Sequence, residues 1–165
     1  MSLMKKIKKA LRKLYVETPP QSDASPPMLA LYILMRNDMD SMNAGKAVAQ
    51  GSHAANQMVF EANNYFAENP EQAARAEKIK TMVGLWSVEA HGFGTCIVLG
   101  ATEREMKSAV LKAKAAGHHA GITHDPTYPL RDGKSFFLIP VDTCAYIFGF
   151  KHELKEIVGS FSLMP

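Results

Sequence analysis

The strongest constraint on this chain is the order of three stretches: an apolar run, Leu29 to Met35; a polar connector, Arg36-Asn37-Asp38-Met39-Asp40-Ser41-Met42-Asn43; and a small-residue segment, Gly45 to Ala55. They read as strand, loop and helix. On that helix Lys46, Gln50 and His53 stand at i, i+4 and i+7, so a cation, an amide and an imidazole share one stripe. Ala47, Ala54, Met58 and Val59 are left to pack the other faces. A helix entered this way aims unpaired N–H groups and the positive end of its dipole at the space beyond the strand's carboxyl end, which favours an anion. Lys46, in the first turn, would add a full charge there. The plainer reading, a solvated Lys46 with Gln50 merely covering the helix, stands beside it on spacing alone. His53 fits a buried, hydrogen-bonded histidine more readily than a catalyst.

The rest of the chain commits the fold to the α/β class. Pro70, with Glu71 behind it, opens a second helix running to about Ser87, with Ala73, Ala76, Ile79, Met82, Val83 and Trp86 on its buried side. Trp86 reads as a packing anchor. Thr95 to Leu99 is a short apolar strand, and Thr102 with Glu105 carries a capping box for a helix that ends at Gly117. Strand, helix, strand at this spacing implies a right-handed crossover. His118 to His124 is the next strand, Asp125-Pro126-Thr127-Tyr128-Pro129 a turn-rich loop, and Arg131 to Lys134 its exposed continuation. Ser135 to Pro140 reads as a further strand, Thr143 to Phe150 as an apolar segment, and His152 to Val158 as a closing helix. The expectation is a three-layer α/β/α domain around a small mixed, mostly parallel β-sheet.

A chain of 165 residues, 47% hydrophobic, is one domain's worth of soluble protein. No apolar run approaches ~20 residues, so no membrane span is expected. Cys96 and Cys144 are far apart and lack Cys-x-x-Cys spacing, which argues against a zinc ribbon or disulfide framework and makes a reducing, cytoplasmic setting the default. Charge is uneven: Lys5, Lys6, Lys8, Lys9, Arg12 and Lys13 face only Glu17 and Asp23 within residues 1–27. The remainder is near neutral. Leu3, Met4, Ile7, Leu11, Leu14 and Tyr15 recur opposite those cations, so a basic amphipathic helix is expected, followed by an extended linker, Thr18 to Pro27. That helix would suit RNA, an anionic membrane surface or the domain itself. It lacks the apolar core of a secretory signal. The boundary is placed so that 1–27 is tail and linker and 28–165 the domain.

Ligands of such sheets collect beyond the carboxyl ends of strands, so the loops after Met35 and after His124 should be neighbours. This brings Asp38 or Asp40, Lys46 and Gln50 toward His124 and Asp125. The set suits hydrolysis, with Asp125 accepting a proton from water or orienting it, Lys46 countering negative charge, and Gln50 donating to a developing oxyanion. His124 is a second candidate acid or base. Other chemistries fit poorly. The P-loop pattern fails at Asp40 and Ala47, and Ser52 lacks a Gly-x-Ser-x-Gly elbow. No His-Glu-x-x-His occurs, and His118 and His119 would point to opposite faces of a strand, so no metal site is assigned.

Gly-Lys-x-x-Ala-Gln-x-x-His-Ala, from Gly45 to Ala54, resembles the first-helix motif of the class II, archaeal and eukaryotic type, peptidyl-tRNA hydrolases. Arg36-x-Asp38-Met39 resembles that family's Arg-x-Asp-Leu, with one extra residue before the Gly-Lys pair. The resemblance implies hydrolysis of the ester between peptide and tRNA, without cofactor, and implies catalytic roles for Lys46, Gln50 and Asp125. Thr143 resembles the threonine of the family's last conserved segment. Asp38, His53, His124 and Thr143 are the further candidates for catalysis or substrate binding. The chain departs from the family's Gln-Asp-Ala-Gly-Arg-Thr loop, reading His124-Asp125-Pro126-Thr127-Tyr128. The His53-to-Trp86 interval is also long, so an inserted turn or helix extension is expected.

An ester is easier to hydrolyse than an amide, so a general base and an oxyanion donor could suffice. The tRNA would be held through phosphates, with Lys46, Arg36, Arg131, Lys134 and the basic tail as available cations. Two other readings keep the fold: a non-catalytic RNA- or protein-binding module whose altered loop no longer hydrolyses, and a hydrolase of another small ester. An exposed apolar face would serve a homodimer, though no pattern demands one.

Overall fold

The computed structural model describes residues 28–165 except 66, 90 and 91. The amphipathic helix, the linker and the boundary expected within 1–27 lie outside the described residues. In chain order the elements are β1 (Leu29–Arg36), α1 (Ala44–Asn63), α2 (Pro70–Trp86), β2 (Cys96–Ala101), α3 (Glu103–Ala115), β3 (His119–Asp132), β4 (Ser135–Phe150) and α4 (Lys151–Val158).

The strand order is β2-β1-β4-β3. β1 pairs parallel to β2 and antiparallel to β4, and β3 pairs antiparallel to β4. Three strands therefore share one direction and only β4 opposes them. The sheet is mixed, as expected. Because β4 lies between β1 and β3, two of its three pairings are nonetheless antiparallel.

β1 is apolar at nearly every position because both its faces are covered. Leu29, Leu31, Ile33 and Met35 join Ala54 and Met58 of α1, Trp86 of α2 and Phe148 in one core, while Ala30, Tyr32 and Leu34 join Met106 and Val110 of α3 and Leu154 of α4 in the other. Alternation along one strand thus builds the three layers. Trp86 is an anchor: it is buried, its indole N–H donates to the Thr95 carbonyl at 2.8 Å, and its ring meets Phe148 edge-on. Ala73, expected inside, is exposed, since α2 packs through its second half, Ile79 to Trp86. The capping box of α3 forms as read, with Thr102 and Glu105 bonding reciprocally. The C-terminal segment covers the outer edge of β2 through Gly100 N–H to Ser162 and Met164 N–H to Val98.

The largest departure from expectation lies between His124 and Thr143. Instead of a loop after His124 and two separate segments, β3 and β4 are single long strands joined by a tight turn at Gly133. Pro126 falls within a register shift between Asp125 and Tyr128, and Pro129 lies on the edge strand, the two settings that tolerate proline in a sheet. β4 pairs with β1 only from Cys144 onward. Residues 125–142 therefore form a two-stranded ribbon that runs on past β1, its origin beside the amino end of α1.

Candidate active site

α1 starts where the polar connector ends. Asn43 is its N-cap, accepting from the Lys46 N–H at 3.0 Å. From this start the small side of the helix lies close on the sheet, and the Cys144 thiol donates to the Gln50 carbonyl at 3.3 Å. Burial pushes that thiol up to about 11, so it stays a neutral donor. Gln50 is thereby carried, buried, over the point where β3 and β4 leave the sheet.

The Gln50 side chain joins two strands. Its Nε2 donates to Asp125 Oδ2 at 2.6 Å and its Oε1 accepts from the fully buried Thr143 hydroxyl at 2.6 Å. An ionised carboxylate can only accept, so the amide nitrogen must face Asp125, the amide oxygen must face Thr143, and the hydroxyl must donate. Each proton in this chain is therefore assigned by chemistry. The other carboxylate oxygen of Asp125 accepts from the Thr127 N–H at 2.8 Å and from the Thr127 hydroxyl at 3.3 Å. Burial alone would raise the Asp125 carboxyl. The Thr127 N–H, the Gln50 amide, the Thr127 hydroxyl and the nearby His53 outweigh it and hold Asp125 below the ordinary carboxylate range.

Lys46 stands one helical turn before Gln50. Its Nζ donates to the Pro129 carbonyl at 2.6 Å and lies 4.5 Å from the centre of the Tyr128 ring. Tyr128 is fully buried, with its hydroxyl 3.3 Å from Ser41 Oγ. The ammonium is thus held at the root of the ribbon by a carbonyl and a ring, with no carboxylate within 4 Å among the described residues.

Of the residues expected in the site, Lys46, Gln50, Asp125 and Thr143 come together. His53 is exposed, against the expectation of a buried histidine, because its place on the stripe falls beyond the cover of β3 and β4; it is still near enough to Asp125 to help lower that carboxyl. Asp38 sits elsewhere. It pairs with Arg36 at 2.8 Å and accepts from the Glu103 N–H at the start of α3, and the Arg36 hydrogen bond holds it below its ordinary range. Arg36 also pairs with Glu103, Lys107 joins Glu103 and Asp142, and His124 meets Asp142 at 2.9 Å. Arg36 and His124 therefore belong to a rim network on the α3 side, with the Arg36 charge already balanced. Arg131 and Lys134 are exposed on the ribbon. Sequence reading missed Thr127, Tyr128 and Ser41, which lay in stretches read as loop, and Lys107 and Asp142, whose partners are distant in sequence.

A buried amide fixed between a hydroxyl and an ionised carboxylate, beside an ammonium at a helix N-terminus, is equipped to orient water and to meet developing negative charge. Residues 29–164 match the family model described as peptidyl-tRNA hydrolase PTH2. The chain belongs to this family. The PTH2 match covers every strand and helix named above, and the resemblance first seen in Gly45 to Ala54 lies within it. No curated protein matches the chain. Among the described residues no helix is long and apolar enough to cross a membrane.

Proposed function

We propose that this chain hydrolyses the ester joining a peptide to the terminal ribose of tRNA, releasing free tRNA and peptide. The observation that carries the reading is the Thr143–Gln50–Asp125 chain of hydrogen bonds beside Lys46, in a member of the PTH2 family. Water held on Asp125 attacks the ester carbonyl carbon and gives its proton to the carboxylate. The carbonyl π electrons move to oxygen, where the Gln50 amide and the Lys46 ammonium oppose the charge. Collapse restores the carbonyl, breaks the bond to the ribose oxygen, and that oxygen takes the proton. Thr143 acts through Gln50 as a positioning residue. A carboxylate below its ordinary range is a weak base, so orientation of water and opposition of charge carry more of the rate than proton affinity does.

In this reading residues 28–165 are the catalytic domain and 1–27 a tail outside it, in keeping with a family match that begins at residue 29. Lys46, Arg131 and Lys134 hold phosphates, while the compensated Arg36 contributes less. A substrate made during translation assigns the protein to the cytoplasm. The altered His124-Asp125-Pro126 segment of β3 favours one competitor, a binding module without catalysis. Release of an N-blocked amino acid from tRNA by the full chain, beside Lys46→Ala and Asp125→Ala variants with unchanged circular dichroism, decides between them. Release by the parent that falls at least a hundredfold in Asp125→Ala supports the hydrolase; tRNA binding without release supports the module.

A further inference from the structure

Two cations of this chain are held in opposite ways. Arg36 is pinned by carboxylates, Asp38 at 2.8 Å and Glu103 at 3.0 Å, which cancel its charge as they place it. Lys46 is pinned by neutral groups: its Nζ donates to the Pro129 carbonyl at 2.6 Å and lies 4.5 Å from the centre of the Tyr128 ring. A carbonyl dipole and a π-face attract an ammonium and leave its formal charge in place.

Tyr128 reaches Lys46 because of an irregularity in β3. Asp125 pairs with Val141 and Tyr128 with Ile139, so three steps on β3 answer two on β4. In a regular strand residues three apart face opposite sides; the extra residue turns Tyr128 to the side of Asp125. The carboxylate then meets Gln50, and the ring meets Lys46 one helical turn earlier on α1. The ring is also fixed from behind. Tyr128 is fully buried, and its hydroxyl is held by the connector between β1 and α1, 3.3 Å from Ser41 Oγ and 3.9 Å from Met42 Sδ.

We propose that Tyr128 is a positioning residue for the hydrolysis: it fixes the Lys46 ammonium beside the Gln50–Asp125 pair and leaves its charge free to oppose the oxyanion. The proposal rests on the hydrolase reading above. One hydrogen bond to Pro129 leaves a flexible four-carbon stem able to swing about it; the ring supplies the second restraint. Placement of this kind is felt in kcat, because a charge that must be repositioned during the reaction opposes the oxyanion less. The charge itself survives loss of the ring, so binding through phosphates should change little.

The test compares, on the full chain, Tyr128→Leu, which keeps an apolar side chain and removes the π-face, with Tyr128→Phe, which keeps the ring and removes the hydroxyl. In two-dimensional NMR of the lysine Cε–Hε groups, the Lys46 signal, identified by its loss in Lys46→Ala, should lie upfield of the other lysines through the Tyr128 ring current. Tyr128→Phe should keep that shift and Tyr128→Leu abolish it. With an N-blocked aminoacyl-tRNA, Tyr128→Leu should lower kcat about tenfold and leave KM within about threefold, while Tyr128→Phe should keep kcat within about threefold of the parent. In a Lys46→Ala background, Tyr128→Leu should cost less than about twofold, since the group it places is gone. A Lys46 signal at the ordinary lysine position in the parent overturns the contact. Equal losses from Tyr128→Leu with and without Lys46 reduce the ring to packing and overturn the role, as does a Tyr128→Leu protein that hydrolyses like the parent. A parent that releases no amino acid removes the hydrolase reading and the role with it, while an upfield Lys46 signal still keeps the clamp.

Discussion

Thr143→Val tests the core of the site, because it removes one hydroxyl and almost no volume. Thr143 is fully buried and its hydroxyl is the donor to Gln50 Oε1 at 2.6 Å. In the variant that amide oxygen stays buried and loses its donor, a defect of about 1–3 kcal/mol. For a domain of this size that is a fall in Tm of about 3–10 °C. Gln50 also loses one of its two anchors: Asp125 still holds the amide nitrogen, but the side chain is less firmly placed over the site, and kcat should fall about tenfold. Differential scanning fluorimetry and single-turnover release from N-blocked aminoacyl-tRNA measure the two effects. Thr143→Ser keeps the hydroxyl and should recover most of the rate. A Thr143→Val protein that melts and hydrolyses like the parent would refute the assigned proton chain.

Gln50→Ala removes one of the donors that hold Asp125 low, so the acid limb of kcat/KM should move to higher pH; a limb that stays in place would count against Asp125 as the ionising group. Lys46→Ala should reduce the slope of log KM against log salt by about one, read from a salt series, since one phosphate-neutralising charge is gone. Asp142 is held low by Lys107 first and His124 second, so its contribution to stability is present above the unfolded carboxyl value of about 4 and is lost as pH falls through the folded value. The Tm gap between parent and Asp142→Asn should accordingly be full above about pH 5 and close below about pH 4. Gly94→Ala places a methyl 2.3 Å from the Trp86 ring at a φ of +65°, and a chemical melt followed by Trp86 fluorescence should show a loss of about 2 kcal/mol or more.

Much of the fold could be read from residue order alone. The Leu29–Met35 strand, the break after Asn63, Pro70 opening a helix and the Thr102–Glu105 capping box are local statements, each legible because its physics is completed within a few residues. The stripe of Lys46 and Gln50 was legible for the same reason: helical spacing decides which side chains share a face. What the helix faces is a separate matter. Asp125-Pro126-Thr127-Tyr128-Pro129 has the composition of a turn, and only pairing with Val141 to Leu138 on β4 makes it strand.

The sequence by itself determined the α/β class, the helix that carries Lys46 and Gln50 on one stripe, and the candidacy of Asp125 beside Gln50. The tertiary structure decided that β4 lies between β1 and β3, that Thr143 rather than Asp38 or His124 completes the Gln50–Asp125 link, and that Arg36 is bound into a rim network. It also decided that one long ribbon leaves the site. The physical reason is the range of the interactions. Propensity and capping act over one or two turns, while strand order and side-chain partnership depend on hydrogen bonds between residues far apart in sequence, 106 positions in the Arg36 to Asp142 contact.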